Sequence, residues 1–305
     1  MSANTYNAAK AISIGWGQAL ACLTRSPRPC GSTITTALAE AWVQYGPSDE
    51  FTREVEEAQI LIGVGPDGFL GSGTWANLVK RANREIGGMP RPIDTQAVLI
   101  AGLIVELDVP HWLRIIHDEK LCLSTHRTPR SEKTRLVIHW GGLNVSHGKR
   151  TLDERNLSTH FLLSPLFEDP GSAADYHVYQ TVDLARTAIH AGAANGGSIG
   201  IDICRSPRVK YAPAYINHVI KDNHTGRGDP RYVELPDDVG ASAREFIHAI
   251  ARLYDIEVQP YPGHALIDPS EWKRSGVYGH HHIKAQKWDV APWAHHFWED
   301  VDDSH

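Results

Sequence analysis

The chain has 305 residues, a length that fits about two domains with a buried core each. Its hydrophobic fraction of 42% and charged fraction of 22% are typical of a soluble globular protein. The net charge of −6 and the pI near 6.3 exclude a general attraction to nucleic acid or to anionic membranes.

The sequence contains neither a membrane span nor a convincing signal peptide. The longest apolar run, 97–105, is far shorter than the ~20 residues that a span needs. Lys10 precedes an apolar stretch at 11–23, but two glycines and a glutamine interrupt it. We therefore expect a protein that is made in the cytoplasm and acts after release or export. No obligate protein partner is indicated.

The first part of the chain is predicted to be helical. Turn-forming glycine and proline residues at 63–73 precede a helix that begins near Trp75. Apolar residues at helical spacing predict helices in four further segments, the last holding one or two: 6–24, 33–45, 49–62 and 93–123. We expect a small all-α domain over 1–123 and a polar linker over 124–134.

The turn before Trp75 contains a motif, DGFLGSGT at 67–74. This pattern resembles the three-helix peptidoglycan-binding domain of many cell-wall hydrolases, and the resemblance covers about 35–85. It implies a module that binds the cell wall. The alternative is a helix–turn–helix unit that serves only for packing.

The character of the sequence changes after residue 134. An amphipathic helix is predicted over 237–254. Short apolar segments predict four strands: 135–140, 159–163, 177–181 and 198–204. This mixture predicts an α/β fold over 135–305, with a mixed central β-sheet flanked by helices.

A histidine-rich segment near the C-terminus, 279–289, combines imidazoles, a cation and a carboxylate. Neutral imidazole and carboxylate are ordinary zinc ligands, and a catalytic zinc usually has three protein ligands and one open position. A further imidazole, His139, lies near the end of the first predicted strand. The sequence thus predicts a zinc site built from segments that are remote along the chain.

Six motifs follow one another in a characteristic order: LVIHW at 136–140, STHFLL at 158–163, VYQ at 178–180, AIHAG at 188–192, NGGSIGIDI at 195–203 and GHHHIKAQKWD at 279–289. This order resembles the zinc-dependent N-acetylmuramoyl-L-alanine amidase family of type 2, whose fold peptidoglycan recognition proteins share. The resemblance spans about 133–293. It implies one Zn²⁺ per chain, bound by His139, His280 and Asp289. The implied reaction is hydrolysis, by zinc-activated water, of the amide between N-acetylmuramic acid and L-alanine of the stem peptide.

Two catalytic roles follow from the same resemblance. Asp202 stands where many members have glutamate and becomes the candidate general base. Lys287 is the candidate that stabilises the oxyanion of the tetrahedral intermediate. Asp202 could instead only hydrogen-bond a neighbouring loop, and Lys287 could be a solvated surface residue. Other members have tyrosine at the position of Thr159.

Some assignments stay open at this stage. The spacing from His280 to Asp289 is unusual for the family, so His281 or His282 could be the ligand instead of His280. Four further residues are candidates for substrate binding: Trp140, His160, His190 and Asn195. The two histidines among them could instead be buried and hydrogen-bonded.

The leading hypothesis is a peptidoglycan amidase with a wall-binding module, as in a phage-type lysin (endolysin). A cytoplasmic amidase that recycles soluble muropeptides is one alternative. A peptidoglycan recognition protein without turnover is another, favoured by Asp202 in place of glutamate. A zinc hydrolase acting on a different amide is a weaker one.

Overall fold

The computed structural model describes residues 1–27, 32–85, 96–117, 126–127, 132–140, 144–164, 176–204, 219–221, 231–233, 235, 237–263, 265–284, 287, 290 and 293–298. No helix within these ranges combines the length and the apolar character that crossing a bilayer requires.

The N-terminal part is helical, as predicted. Its helices are α1 (Ala3–Ile14), α2 (Trp16–Arg25), α3 (Thr33–Tyr45), α4 (Asp49–Leu61) and α5 (Ser72–Glu85). The single helix expected over 6–24 is broken at Gly15, whose φ of +88° suits glycine. A Cβ at Gly15 would also collide with Ala185, so the break is where α1 and α2 meet the rest of the protein.

The motif at 67–74 forms a turn that is held from two sides. The side chain of Asn7 donates to Gly68 O and accepts from Leu70 N. The side chain of Gln59 accepts from the backbone N–H groups of Asp67 and Gly68. Buried amide pairs of this kind fix a turn, since each polar group needs a partner. The motif therefore has a packing role, and wall binding by this region stays a prediction.

The prediction of helices over 93–123 is wrong. Strands β1 (Ala97–Ile100) and β2 (Leu103–Glu106) form an antiparallel hairpin, and β3 (Leu113–Ile116) joins the central sheet. Short apolar runs do not distinguish a buried strand from a helix. The hairpin turns at Ala101-Gly102, where φ is positive, and the carboxylate of Asp183 accepts both backbone N–H groups.

The α/β fold with a mixed central sheet is confirmed. The remaining strands are β4 (His126–Arg127), β5 (Arg135–Trp140), β6 (Phe161–Ser164), β7 (Tyr176–Gln180), β8 (Thr187–Ala188), β9 (Ser198–Ile203), β10 (Val219–Lys221), β11 (Arg231–Val233) and β12 (Gly276–Gly279). The central sheet has the order β12-β5-β9-β6-β7-β3 within the described residues. Strands β12, β5, β9 and β6 run parallel, whereas β7 is antiparallel to β6.

Helices cover the sheet. They are α6 (Val145–Glu154), α7 (Asp237–Tyr254), α8 (Pro269–Trp272), α9 (His280–Ile283), α10 (Ala294–Phe297) and a 3₁₀ helix at Gly192–Gly197. The helix predicted over 237–254 is confirmed with the same bounds. One sheet face is mainly apolar, with Ile138, Ile201 and Phe161 packing in the same core as Phe246 of α7. The other face carries the polar residues discussed next.

The N-terminal helices pack directly on this α/β unit. The Sγ of Cys22 on α2 donates to Leu253 O of α7, and both residues belong to one continuous core. The side-chain amide of Gln18 pairs with the backbone N–H and C=O of Lys133. The division into a domain at 1–123, a linker at 124–134 and a domain at 135–305 stays a prediction.

Candidate active site

Three polar residues lie at the carboxyl ends of adjacent parallel strands. The register pairs His139 on β5 with Asp202 on β9, and Gly279 on β12 with Ile138, so that His280 follows beside His139. The imidazole centroids of His139 and His280 are 4.5 Å apart. All three side chains are at least nine-tenths buried. The carboxyl edge of parallel strands is where ligands commonly bind in α/β folds.

Hydrogen bonds and ring contacts show which of the three consecutive histidines faces His139. His281 Nε2 lies 3.2 Å from the hydroxyl of Tyr261. His282 Nδ1 accepts from Gly279 N at 3.0 Å, which leaves Nε2 to donate to Gly263 O at 2.7 Å. Only His280 of the three has a ring contact with His139. His280 is therefore the member of the run placed to act with His139.

Gly279 is required for this arrangement of the histidines. It precedes the short helix α9 in extended conformation, with φ −79° and ψ 153°. A Cβ on Gly279 would lie 2.3 Å from Cε1 of His281. Since glycine alone avoids this collision, the strand can end and the helical turn can begin at His280.

A fourth polar residue, His190, contacts the ring of His139. The two rings are joined by a contact of 2.9 Å between His139 Nε2 and His190 Nδ1. His190 Nε2 lies 3.1 Å from the hydroxyl of Ser198. Burial, followed by the charges of the neighbouring histidines, lowers the pKa of His190 well below its ordinary value. His190 is therefore neutral near pH 7.

Residues 127–292 match the family model described as N-acetylmuramoyl-L-alanine amidase. The match covers more than half of the chain and contains the whole constellation of His139, His190, Asp202 and His280. The chain belongs to this amidase family. No curated protein sequence matches it. The family assignment makes the protein a hydrolase related to the peptidoglycan amidases.

His160 of the amidase is a packing residue. It is fully buried, and its pKa is lowered well below the ordinary value because burial disfavours the charged form. Its Nδ1 accepts from Gly200 N at 2.9 Å, and its Nε2 donates to Arg186 O at 3.1 Å. With both ring nitrogens bonded to backbone, His160 fits the buried alternative rather than substrate contact.

The other predicted substrate residues take different positions in the amidase. Trp140 packs against the apolar core on the sheet face opposite to His139, because successive residues of a strand point to opposite faces. This position argues against Trp140 as a wall of the groove. Asn195 Oδ1 accepts from the backbone N–H groups of His190 and Ala191. Asn195 therefore orders the segment that carries His190.

The two remaining predicted site residues are Lys287 and Asp289. Lys287 is half-buried, and its backbone N–H donates to Lys284 O. Asp289 lies outside the described residues. Thr159, at the position where other members have tyrosine, is buried, and its Oγ1 has no hydrogen-bond partner among the described residues. The roles assigned to Lys287 and Asp289 stay predictions.

The side chains at this edge of the sheet include donors that suit zinc. His139 and His280 offer two imidazoles side by side, which suits zinc, and Asp202 lies beside them. Within the described ranges no three His, Cys, Asp or Glu side chains converge as a metal site. A three-ligand site therefore needs a donor from outside these ranges, where Asp289 lies. The two adjacent imidazoles fit zinc as a partial donor set.

Sequence reasoning missed the supporting residues of the amidase. Ser198, Gly200 and Asp202 alternate along β9, so they share the face that carries His139. This alternation is present in the motif at 195–203. It could have predicted that a small residue lies beneath His190, the histidine of the motif at 188–192.

Gly200 leaves the space that His190 occupies. A Cβ there would lie 2.8 Å from Cγ and Nδ1 of His190 and 2.9 Å from Thr159 Oγ1. We expect Gly200→Ala to displace His190 and to destabilise the amidase by about 1–3 kcal/mol, as overpacking of a core does. Urea unfolding measures the loss. Gly73→Ala is the control, because open space surrounds its Cβ. Equal stability of the two variants would contradict the prediction.

Proposed function

We propose that the amidase hydrolyses the amide between N-acetylmuramic acid and L-alanine in peptidoglycan, with one Zn²⁺ per chain. The observation that supports this most is the ring contact of His139 with His280 at the edge of the sheet where Asp202 pairs with His139. His139 and His280, with Asp289, would hold the ion. When bound, zinc polarises a carbonyl and lowers the pKa of water toward ~7.

Asp202 is proposed as the general base. It removes a proton from the attacking water and passes it to the amine of the leaving L-alanine. Direct pairing of Asp202 with His139 across parallel strands places their Cα atoms about 5 Å apart. This closeness supports the shorter aspartate side chain in the role that glutamate has in many relatives.

Apolar residues next to Asp202 support a site from which water is excluded. The register pairs Asp202 with Leu162, which packs with Val145 and Cys204 in a small apolar cluster. An apolar wall excludes water and strengthens the interactions of a nearby charge. Lys287 is proposed to stabilise the developing oxyanion, the role in which a cation is most effective in such an environment.

The decisive assay uses purified sacculi and a soluble muropeptide side by side. We expect release of stem peptides whose L-alanine has a free amino end. Cleavage of sacculi supports a lysin that acts on the wall after release or export, whereas cleavage of the soluble muropeptide alone supports a recycling enzyme. Binding to sacculi without release would support the recognition protein and contradict the hydrolase.

Asp202→Asn tests the general base. We expect turnover to fall by about 10²–10⁴-fold, the usual contribution of a positioned acid or base. The zinc content should stay at about one per chain, because Asp202 is not proposed as a ligand. Asp153→Asn, an exposed change on α6, is the matched control and should retain full activity. Full activity of Asp202→Asn would remove the assignment.

We also propose that the N-terminal helices bind the wall polymer. The motif at 67–74 supports this. So does a cleft of about 320 Å³ between α3, α4 and α5, which is lined by Ile34, Leu61, Glu54 and Arg81 among others. Attachment to a polymer raises the local concentration of a catalytic site at a surface. Loss of sacculus binding by the full chain on substitution of Leu61 and Arg81, with soluble muropeptide cleavage intact, would support this role.

A further inference from the structure

The contact between His139 and His190 belongs to a longer chain of hydrogen bonds. The hydroxyl of Ser198 donates to Ala194 O at 2.7 Å. His190 Nε2 lies 3.1 Å from the same hydroxyl oxygen, and His190 Nδ1 lies 2.9 Å from His139 Nε2. The chain therefore runs from a backbone carbonyl through one hydroxyl to two imidazoles.

The direction of each bond can be deduced from the number of protons. Ser198 has a single hydroxyl proton, and that proton is used toward Ala194 O. The Ser198 oxygen must then accept from His190 Nε2, which carries a proton. In a neutral imidazole only one nitrogen is protonated, so His190 Nδ1 has the lone pair. His139 Nε2 must accordingly donate to His190 Nδ1.

We propose that His190 is a positioning residue that holds His139 in the Nε2–H tautomer, so that Nδ1 of His139 is the nitrogen that binds the metal. This inference rests on the zinc site of the proposed function. Metal-bound histidines generally donate their other ring N–H to a fixed acceptor, which sets the tautomer and the ring orientation. Here the acceptor is an imidazole rather than a carboxylate or a carbonyl.

The structure around His190 holds it in this position. Asn195 Oδ1 accepts from the backbone N–H groups of His190 and Ala191 at 3.0 and 2.6 Å. Gly200 provides the space under the ring, and a side chain there would collide with it. A group that is fixed at its backbone, at its far nitrogen and beneath its ring is suited to orient a neighbour.

The first test needs no substitution. Proton–nitrogen correlation spectra of the metal-free full chain distinguish imidazoles that are protonated on Nε2 from those protonated on Nδ1. We expect the Nε2–H form for both His139 and His190 near pH 7.5. An Nδ1–H form of His139, or a doubly protonated His190, would overturn the proposal.

The second test measures zinc affinity by competition with a chelating dye. His190→Leu keeps most of the volume but cannot accept a hydrogen bond, and we expect zinc binding to weaken about 10–100-fold, as for other lost supporting partners of a metal ligand. His190→Asn offers Oδ1 close to the place of Nδ1 and should restore most of the affinity. A merely structural role would not be rescued by the smaller asparagine.

His248→Leu is the matched control. His248 lies on α7, which packs on the apolar face of the sheet, and its ring is hydrogen-bonded to Phe297 O, away from His139. This variant should bind zinc like the unaltered chain. Unaltered affinity in His190→Leu would overturn the proposal, and so would equal losses in the two leucine variants.

Failure of the inference and failure of the proposed function give different results. If the unaltered chain binds zinc and cleaves sacculi while His190→Leu binds zinc equally well, the inference fails and the function stands. If the tautomers are as assigned and His190→Leu weakens zinc binding while sacculi stay intact, the inference stands and the proposed cleavage fails.

Discussion

Replacing His280 by alanine is expected to abolish zinc binding and to lower peptidoglycan cleavage by about 10³-fold or more, since in the proposed function the metal supplies both the nucleophile and the charge stabilisation. The physical reason is the ring contact of 4.5 Å with His139, which neither His281 nor His282 shares. Loss of one of two adjacent imidazoles leaves too few donors to hold the ion.

The neighbouring histidines provide the controls for this prediction. His281→Gln keeps a polar partner for the hydroxyl of Tyr261 and should retain about one zinc per chain with near-normal activity. His282→Gln should mainly cost stability, because the ring links Gly279 N to Gly263 O. Metal analysis and sacculus assays measure both effects. Zinc retained in His280→Ala but lost in His281→Gln would reverse the assignment.

The central strands could be predicted from the sequence because their pattern is unambiguous. The segment 135–140 is a short run of mostly apolar residues, and 198–203 combines β-branched residues with small ones, as buried strands do. The region 97–116 could not be predicted, since its apolar residues fit either period. The region folds as strands because the turn at Gly102 is held by the carboxylate of Asp183, which is distant in sequence.

The order of motifs predicted His139, His280 and Asp202 as site residues, but spacing could not decide which of three consecutive histidines faces His139. That choice depends on groups that become neighbours only in the fold, namely the backbone Gly263 O for His282 and the side-chain hydroxyl of Tyr261 for His281. A motif gives residue types in sequence order, whereas ring orientation depends on long-range hydrogen bonds.

A second large effect is expected at Lys133, just before β5. Its side chain is 2% exposed, and its ammonium donates to Ser198 O at 3.0 Å. Burial, reinforced by the charge of Arg135, lowers the pKa of Lys133 from 10.5 to about 7. The charged form is therefore disfavoured in the folded state, and folding at neutral pH carries a cost.

The sign of the pH dependence follows from proton linkage. Above about pH 10.5 Lys133 is neutral in both states and imposes no cost. As the pH falls toward 7, the unfolded chain binds the proton first, so stability declines through this window. Below about pH 7 both states are charged and the cost is constant, at about 5 kcal/mol for the whole shift.

We therefore expect Lys133→Met to stabilise the amidase by about 3–4 kcal/mol near pH 6.5, after the lost hydrogen bond to Ser198 O offsets about 1 kcal/mol. Urea unfolding of both proteins between about pH 6.5 and pH 9.5 measures the difference, which should shrink as the pH rises. Lys80→Met, an exposed change on α5, controls for general effects of removing a lysine. A difference between Lys133→Met and the unaltered chain that is constant over this range would mean that Lys133 keeps an ordinary pKa, because only a group whose proton affinity changes on folding makes stability depend on pH.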